Sequence, residues 1–151
     1  MKKNTRIVSA FPGTGKTFLC QRSCKNLIEK ECWKYIGANF PHNCVEAIKD
    51  QIGKADVIFI STNKIVLDIL ISDGVSLIAI YPEAKLKKDY LKRYAARGDQ
   101  PGFIKMMDDN WSNWIQELDE RDDCLKKILK KGEYILNMFP LLLPDELPDI
   151  K

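Results

Sequence analysis

Two stretches of this chain are apolar at successive positions, Ala55–Ser61 (ADVIFIS) and Val75–Tyr81 (VSLIAIY). Continuous β-branched runs of this kind predict strands buried on both faces, as in a parallel sheet covered on each side; half-exposed strands alternate instead. A shorter β-type run, Thr5–Ala10 (TRIVSA), leads directly into a glycine-rich loop. Elsewhere apolar residues recur every three or four positions, the helical spacing. Lys16 to about Lys30 suits a helix, with Phe18, Leu19, Cys20, Leu27 and Ile28 available for burial. Val45–Ile52 suits another, stopped at Gly53, and Asn63–Ser72 a third, closed by Asp73 and Gly74. After Pro82, Ala84–Arg97 forms a basic amphipathic helix, and Gly98–Gly102 (GDQPG) reads as a loop. Phe103 to about Arg121 is helical.

Three pieces are less regular. Cys32–Asn43 contains Gly37, Pro41 and Asn43 and suits a connection or a distorted helix. Leu125–Lys131 fits a helix by spacing, but a final strand there would complete the alternation. Beyond Phe139, Pro140, Pro144 and Pro148 forbid regular structure. Strands alternating with helices imply a parallel sheet with helices on both faces, a three-layer α/β fold. We therefore expect one domain over residues 1–139 and a proline-rich tail over 140–151.

Composition narrows the function classes. Hydrophobic residues make up 45% of the 151 positions, enough for a core at a common domain size. The net charge of +3 is too small for a dedicated nucleic-acid binder, so no specific nucleic-acid partner is expected. No run of 18 apolar residues occurs and no signal-peptide pattern opens the chain, so the expectation is a cytoplasmic protein without a membrane partner, monomeric or homodimeric. The five cysteines, Cys20, Cys24, Cys32, Cys44 and Cys124, are an odd number without a pairing framework and read as free thiols. A zinc site from Cys20, Cys24, His42 and Cys44 lacks a CxxC anchor and is not expected.

The glycine-rich loop carries the strongest chemical signal. Ala10–Thr17 (AFPGTGKT) matches a phosphate-binding pattern with alanine in the first glycine position, and it lies between a predicted strand and a predicted helix, as the motif requires. Glycines let backbone N–H groups curl inward around phosphate oxygens. A helix starting near Lys16 aims its positive dipole end at the same place. Pro12, Gly13, Thr14, Gly15, Lys16 and Thr17 are thus the expected nucleotide-binding residues. Lys16 reaches the β- and γ-phosphates, and the Thr17 hydroxyl is the expected Mg2+ ligand. The ligand called for is ATP or GTP with Mg2+.

The rest of the site is less explicit. The run Val57–Ile60 ends in Ser61 and Thr62 without an acid, and Asp56 lies at its far end. Ser61 and Thr62 suit either substrate contact or strand-end capping. Glu83 follows the second run and reads as an outer-shell carboxylate or a helix-start acid. Arg93 and Arg97, four apart on the basic helix, share one face at the edge of the Gly98–Gly102 loop. That suits a lid clamping a transferring phosphoryl group, since the guanidinium fork pairs bidentately with phosphate; a solvated basic face is the other reading. Lys85, Lys87, Lys88 and Lys92 are assigned to the surface. Trp111 and Trp114, with Met107 and Leu118, read as core packing. Lys126, Lys127, Lys130 and Lys131 suit a solvated face or edge-strand protection.

Ala10–Thr17, the strand ending Tyr81-Pro82, the helix Leu86–Arg97 with RYAARG, and Asn110-Trp111 together resemble the small P-loop kinases of nucleosides and nucleoside monophosphates, most of all compact adenylate-kinase-like forms carried by phages and bacterial mobile elements. The likeness runs from Thr5 to about Leu136. It implies a P-loop fold and Mg2+-dependent transfer of a γ-phosphoryl group to a nucleotide or other small acceptor, with Lys16, Arg93 and Arg97 catalytic. Such kinases carry aspartates at the end of a second strand soon after the first helix. Here that region reads Glu31 to Asn39 without one, which leaves a second expectation: a non-catalytic P-loop module binding nucleotide or protein.

Overall fold

The computed structural model describes residues 4–16, 19–20, 26–35 and 37–137. Five strands form one all-parallel sheet: β1 (Arg6–Ala10), β2 (Leu27–Lys30), β3 (Val57–Ile60), β4 (Ile78–Pro82) and β5 (Leu125–Leu129), in the order β2-β3-β1-β4-β5. Among the described residues, four helices of nine residues or more accompany them: α1 (His42–Gln51), α2 (Lys64–Ser72), α3 (Lys87–Ala96) and α4 (Pro101–Asp119). The strand order and the all-parallel pairing are consistent with a P-loop-type arrangement.

Register explains why the central strands read as continuous apolar runs. Ile7 pairs with Ile58, and Ser9 pairs with both Ile60 and Ala79. These positions face one core with Phe11, Tyr81 and the buried sides of α1 to α4. The alternate residues, Val8, Ala10, Val57, Phe59 and Ile80, face a second core with Leu19, Leu129 and Ile135. Both faces are covered, so neither needs polar alternation. Helix α2 starts where the Asn63 side chain accepts from the Val66 N–H, the ordinary work of an N-cap. Helix α4 starts with Pro101 at its first turn, where a missing N–H leaves no partner unpaired.

Two sequence expectations change and one open reading resolves. The helix expected from Lys16 through Lys30 does not include its last four residues: Leu27–Lys30 is strand β2, paired with β3 from Leu27↔Val57 to Lys30↔Ile60. As an edge strand with only Leu27 buried, it has polar residues where β3 has none. The open reading of 125–131 resolves as strand β5, on the opposite edge beside β4. The expected loop at 98–102 shrinks to Gly98, Asp99 and Gln100, because Pro101 already begins α4. Gly98 takes a left-handed φ of 85°, and the turn is closed by Asp99 N–H donating to the Tyr94 carbonyl. No described helix is long and apolar enough to cross a membrane. The proline-rich tail lies outside the described residues.

Candidate functional site

The C-terminal ends of the strands set the site. From central β1 the chain crosses to the β2 edge, then returns past β1 to β4 and β5. Open α/β sheets bind ligands beyond the strand ends where connections diverge in this way. Here that edge holds a cleft of about 1040 Å3, bordered by the loop after β1, by Glu31 and Trp33 after β2, by Ser61 to Ile65 after β3, and by α3 and α4. Its size is at the upper end of small-molecule sites, which run to roughly 1,000 Å3.

The loop is built by its own residues first. Gly13 and Gly15 have φ of 87° and 96°, the left-handed region that favours glycine. A Cβ on Gly13 would also lie 2.9 Å from Cε1 of Tyr94, so this position is closed to side chains twice over. The buried Thr14 hydroxyl donates to the Phe11 carbonyl at 2.7 Å and ties the turn across its base. Phe11 N–H continues the ladder to Ile80 at 3.0 Å.

Distant residues then hold three consecutive loop carbonyls. Tyr94 Oη donates to Pro12 O at 2.8 Å, Arg93 Nη1 to Gly13 O at 2.6 Å, and Ile135 N–H to Thr14 O at 3.0 Å. Burial pushes the Tyr94 phenol up, so it remains a protonated donor. The Arg93 guanidinium lies between two rings, 4.1 Å from the Tyr90 centroid and 4.3 Å from that of Tyr134. Tyr134 also packs against Gly15. The buried Tyr90 hydroxyl has no hydrogen-bond partner among the described residues.

Lys16 lies in the cleft with its ammonium 3.0 Å from Glu31 Oε1, both side chains mostly buried. Glu31 also accepts from Trp33 Nε1 at 2.6 Å. Burial alone would raise the Glu31 carboxyl, but the Lys16 charge and these hydrogen bonds outweigh it and hold it below its ordinary value. Sequence reasoning missed Glu31. Once β2 ends at Lys30 instead of continuing a helix, Glu31 becomes the acid at the end of the second strand, in the region where no aspartate was found.

The remaining candidates divide. Pro12, Gly13, Gly15, Lys16, Arg93 and Arg97 all border the cleft, and Thr14 is the buried tie beneath it. Thr17 lies outside the described residues. Arg97 is half exposed, 2.5 Å from Asp99 Oδ2 and 5.1 Å from the Tyr94 ring. Ser61 and Thr62 border the cleft; Ser61 Oγ accepts the Cys32 N–H, and its carbonyl accepts the Ser9 hydroxyl. Glu83 pairs only loosely with Lys85, at 3.9 Å. Asp56 accepts the Asn26 N–H at the opposite end of β3. Trp111 is core as expected, donating to Ala84 O and packing edge-on to Phe11. Trp114 packs against the same core but is only half-buried, and its outer side joins Phe103, Met106 and Ile65 in an apolar wall of the cleft.

No protein-family model matches the chain, and no curated protein matches it either.

Proposed function

We propose that this protein binds a nucleoside triphosphate with Mg2+ and transfers its γ-phosphoryl group to a small acceptor in the same cleft. One observation carries the reading: the carbonyls of Pro12, Gly13 and Thr14, which would repel an anion, are each engaged by a donor, in a loop bent by two left-handed glycines beside Lys16. Such a loop needs little reorganisation to receive phosphate oxygens. The resemblance of Ala10–Thr17 and the basic helix to small P-loop kinases of nucleosides and nucleotides supports the same assignment, and the all-parallel sheet order agrees with it.

In this reading Lys16 leaves Glu31 for the β- and γ-phosphates, and Arg93 keeps the loop in shape through Gly13 O. Arg97, the less constrained arginine, closes over the transferring group. The hydroxyl-bearing loop end, with Thr17 by its motif position, suits Mg2+, which would neutralise charge between the phosphates when bound. The acceptor occupies the wall of Trp33, Ile65, Phe103, Met106 and Trp114. Glu31 follows the second strand, where an aspartate was expected, but here it pairs with Lys16, so a non-catalytic P-loop module binding nucleotide or protein stays as the second reading.

The test is a melting-temperature panel with ATP and GTP plus Mg2+, followed by transfer assays to nucleosides, nucleoside monophosphates and water. A ligand at a hundred times its dissociation constant adds about 2.7 kcal/mol to stability. Lys16→Ala is expected to lose most of the shift while staying folded. No shift with any triphosphate at millimolar concentration would sink the proposal.

A further inference from the structure

Cys32 and Cys44 come from different elements and meet in the core. Cys32 opens the 3-10 turn Cys32–Tyr35 after β2, and Cys44 lies in the first turn of α1. Their sulfurs are 3.4 Å apart, with the Cys44 thiol donating to Cys32 Sγ. Both residues are buried, and both are free. Two buried cysteines often serve only as small apolar fillers. This pair differs in its polarisation and its place. Cys32 is the acceptor of the S–H, its N–H is fixed on Ser61 Oγ, and its two chain neighbours, Glu31 and Trp33, border the cleft.

We propose that Cys32 and Cys44 are a redox-active dithiol, closed to a disulfide by a hydroperoxide and reopened by a dithiol reductant. Cys32 sulfur attacks one peroxide oxygen; the O–O bond breaks, an alcohol (or water) leaves, and Cys32 becomes a sulfenic acid. Cys44 sulfur then attacks Cys32 sulfur; the S–O bond breaks and water leaves with the Cys44 proton. Two thiols and one hydroperoxide thus give a disulfide, an alcohol and a water, the sulfurs losing two electrons and the peroxide gaining them. Closing the bond brings the sulfurs from 3.4 Å to a normal length of about 2.05 Å.

The other described thiols are poorer nucleophiles. Burial pushes the Cys20 thiol up to about 12, and burial raises Cys124 as well, whereas donation from Cys44 brings Cys32 down to about 7. The disulfide would fasten the turn carrying Glu31 to the fully buried Cys44, and so hold Glu31 against Lys16. The consequence, which rests on the reading of Lys16 as a phosphate ligand, is weaker triphosphate binding in the oxidised protein.

The experiment is hydrogen peroxide treatment of the native protein, alkylation of remaining thiols, and peptide mapping. The expected product is a linked Cys32–Cys44 peptide, lighter by two hydrogens and cleaved by dithiothreitol. A variant lacking the other three thiols (Cys20→Ser, Cys24→Ser, Cys124→Ser) should still form it. With Cys44→Ser, or Cys44→Ala if the serine variant fails to fold, a sulfenic-acid probe should label Cys32. No linked peptide, a link through another cysteine, or labelling of Cys124 in place of Cys32 would overturn the dithiol. Equal Mg-ATP affinity of the reduced and oxidised proteins would overturn the gating while leaving the dithiol standing. Absence of triphosphate binding in both forms would count against the phosphate site alone.

Discussion

Lys16 and Glu31 form a mostly buried ion pair, 3.0 Å from ammonium to carboxylate, across the mouth of the glycine-rich loop. The pair keeps the cation compensated; under the proposed function a phosphate replaces the carboxylate, and Glu31 then competes with the ligand. Glu31→Gln should tighten triphosphate binding by about fivefold, the equivalent of roughly 1 kcal/mol for one partly exposed pair. Calorimetric titration of both proteins at fixed Mg2+ checks this, and weaker binding by the variant would reverse the assigned role.

The same pair predicts a pH dependence. The folded-state value of Glu31 lies below its unfolded value, so the unfolded chain binds its proton first. Its contribution to stability is therefore complete above the ordinary glutamate range and is lost as pH falls through the folded value. Denaturant midpoints of wild type and Glu31→Gln should converge toward acid pH and separate above about pH 5, where unfolded glutamate is ionised. Parallel curves across that window would contradict the assignment.

Arg93 and Arg97 should separate in mutation. Arg93→Ala removes a charge-assisted bond to Gly13 O and the packing between Tyr90 and Tyr134. A loss of roughly 2–3 kcal/mol of stability is expected, with weakened nucleotide binding. Arg97→Ala, half exposed, paired with nearby Asp99 and lying over the Tyr94 and Phe103 rings, should cost no more than about 1 kcal/mol. If Arg97 acts on the transferring group, its loss lowers the transfer rate on the order of a thousandfold with little change in triphosphate affinity. Melting curves alongside single-turnover rates distinguish the two; equal behaviour of both variants would refute the division.

Gly13→Ala tests the loop without touching charge. The substitution meets Tyr94 at 2.9 Å and an unfavourable φ of 87°. It should cost about 1–3 kcal/mol and abolish triphosphate binding. Gly102→Ala, with nothing within 4 Å of the added Cβ, is the matched control and should be nearly neutral. Comparable melting temperatures for the two variants would argue against a strained, closely packed loop.

The sequence made the buried parts of this fold plain and left its edges obscure. Val57–Ile60 has a strand on each side and cover on both faces, so every position is apolar. Leu27–Lys30 has a neighbour on one side only, and Glu29 and Lys30 extend the helical spacing that precedes them. Reading it as helix hid Glu31, whose role depends on where β2 stops. Strand β5 stayed open for the same reason, with Leu125 to Ile128 exposed on the other edge. The loop itself was legible because its chemistry is local: Gly13, Gly15 and Lys16 act within a few bonds of one another. Arg93 was found by its spacing, but its stacking between Tyr90 and Tyr134 joins residues too far apart in the chain for any local pattern to show.

The three donors that hold Pro12, Gly13 and Thr14 come from residues 94, 93 and 135, eighty or more positions after the carbonyls they engage. During synthesis the loop emerges early, yet the last of its restraints arrives only after β5 has been made. An emerging chain therefore has the letters of the loop long before it has the loop's restrained shape, and under the proposed phosphate-binding reading ligand capture would be a late milestone of biogenesis. Nascent chains arrested before Glu133 would lack it, whereas chains released beyond Leu136 would gain it in a single step.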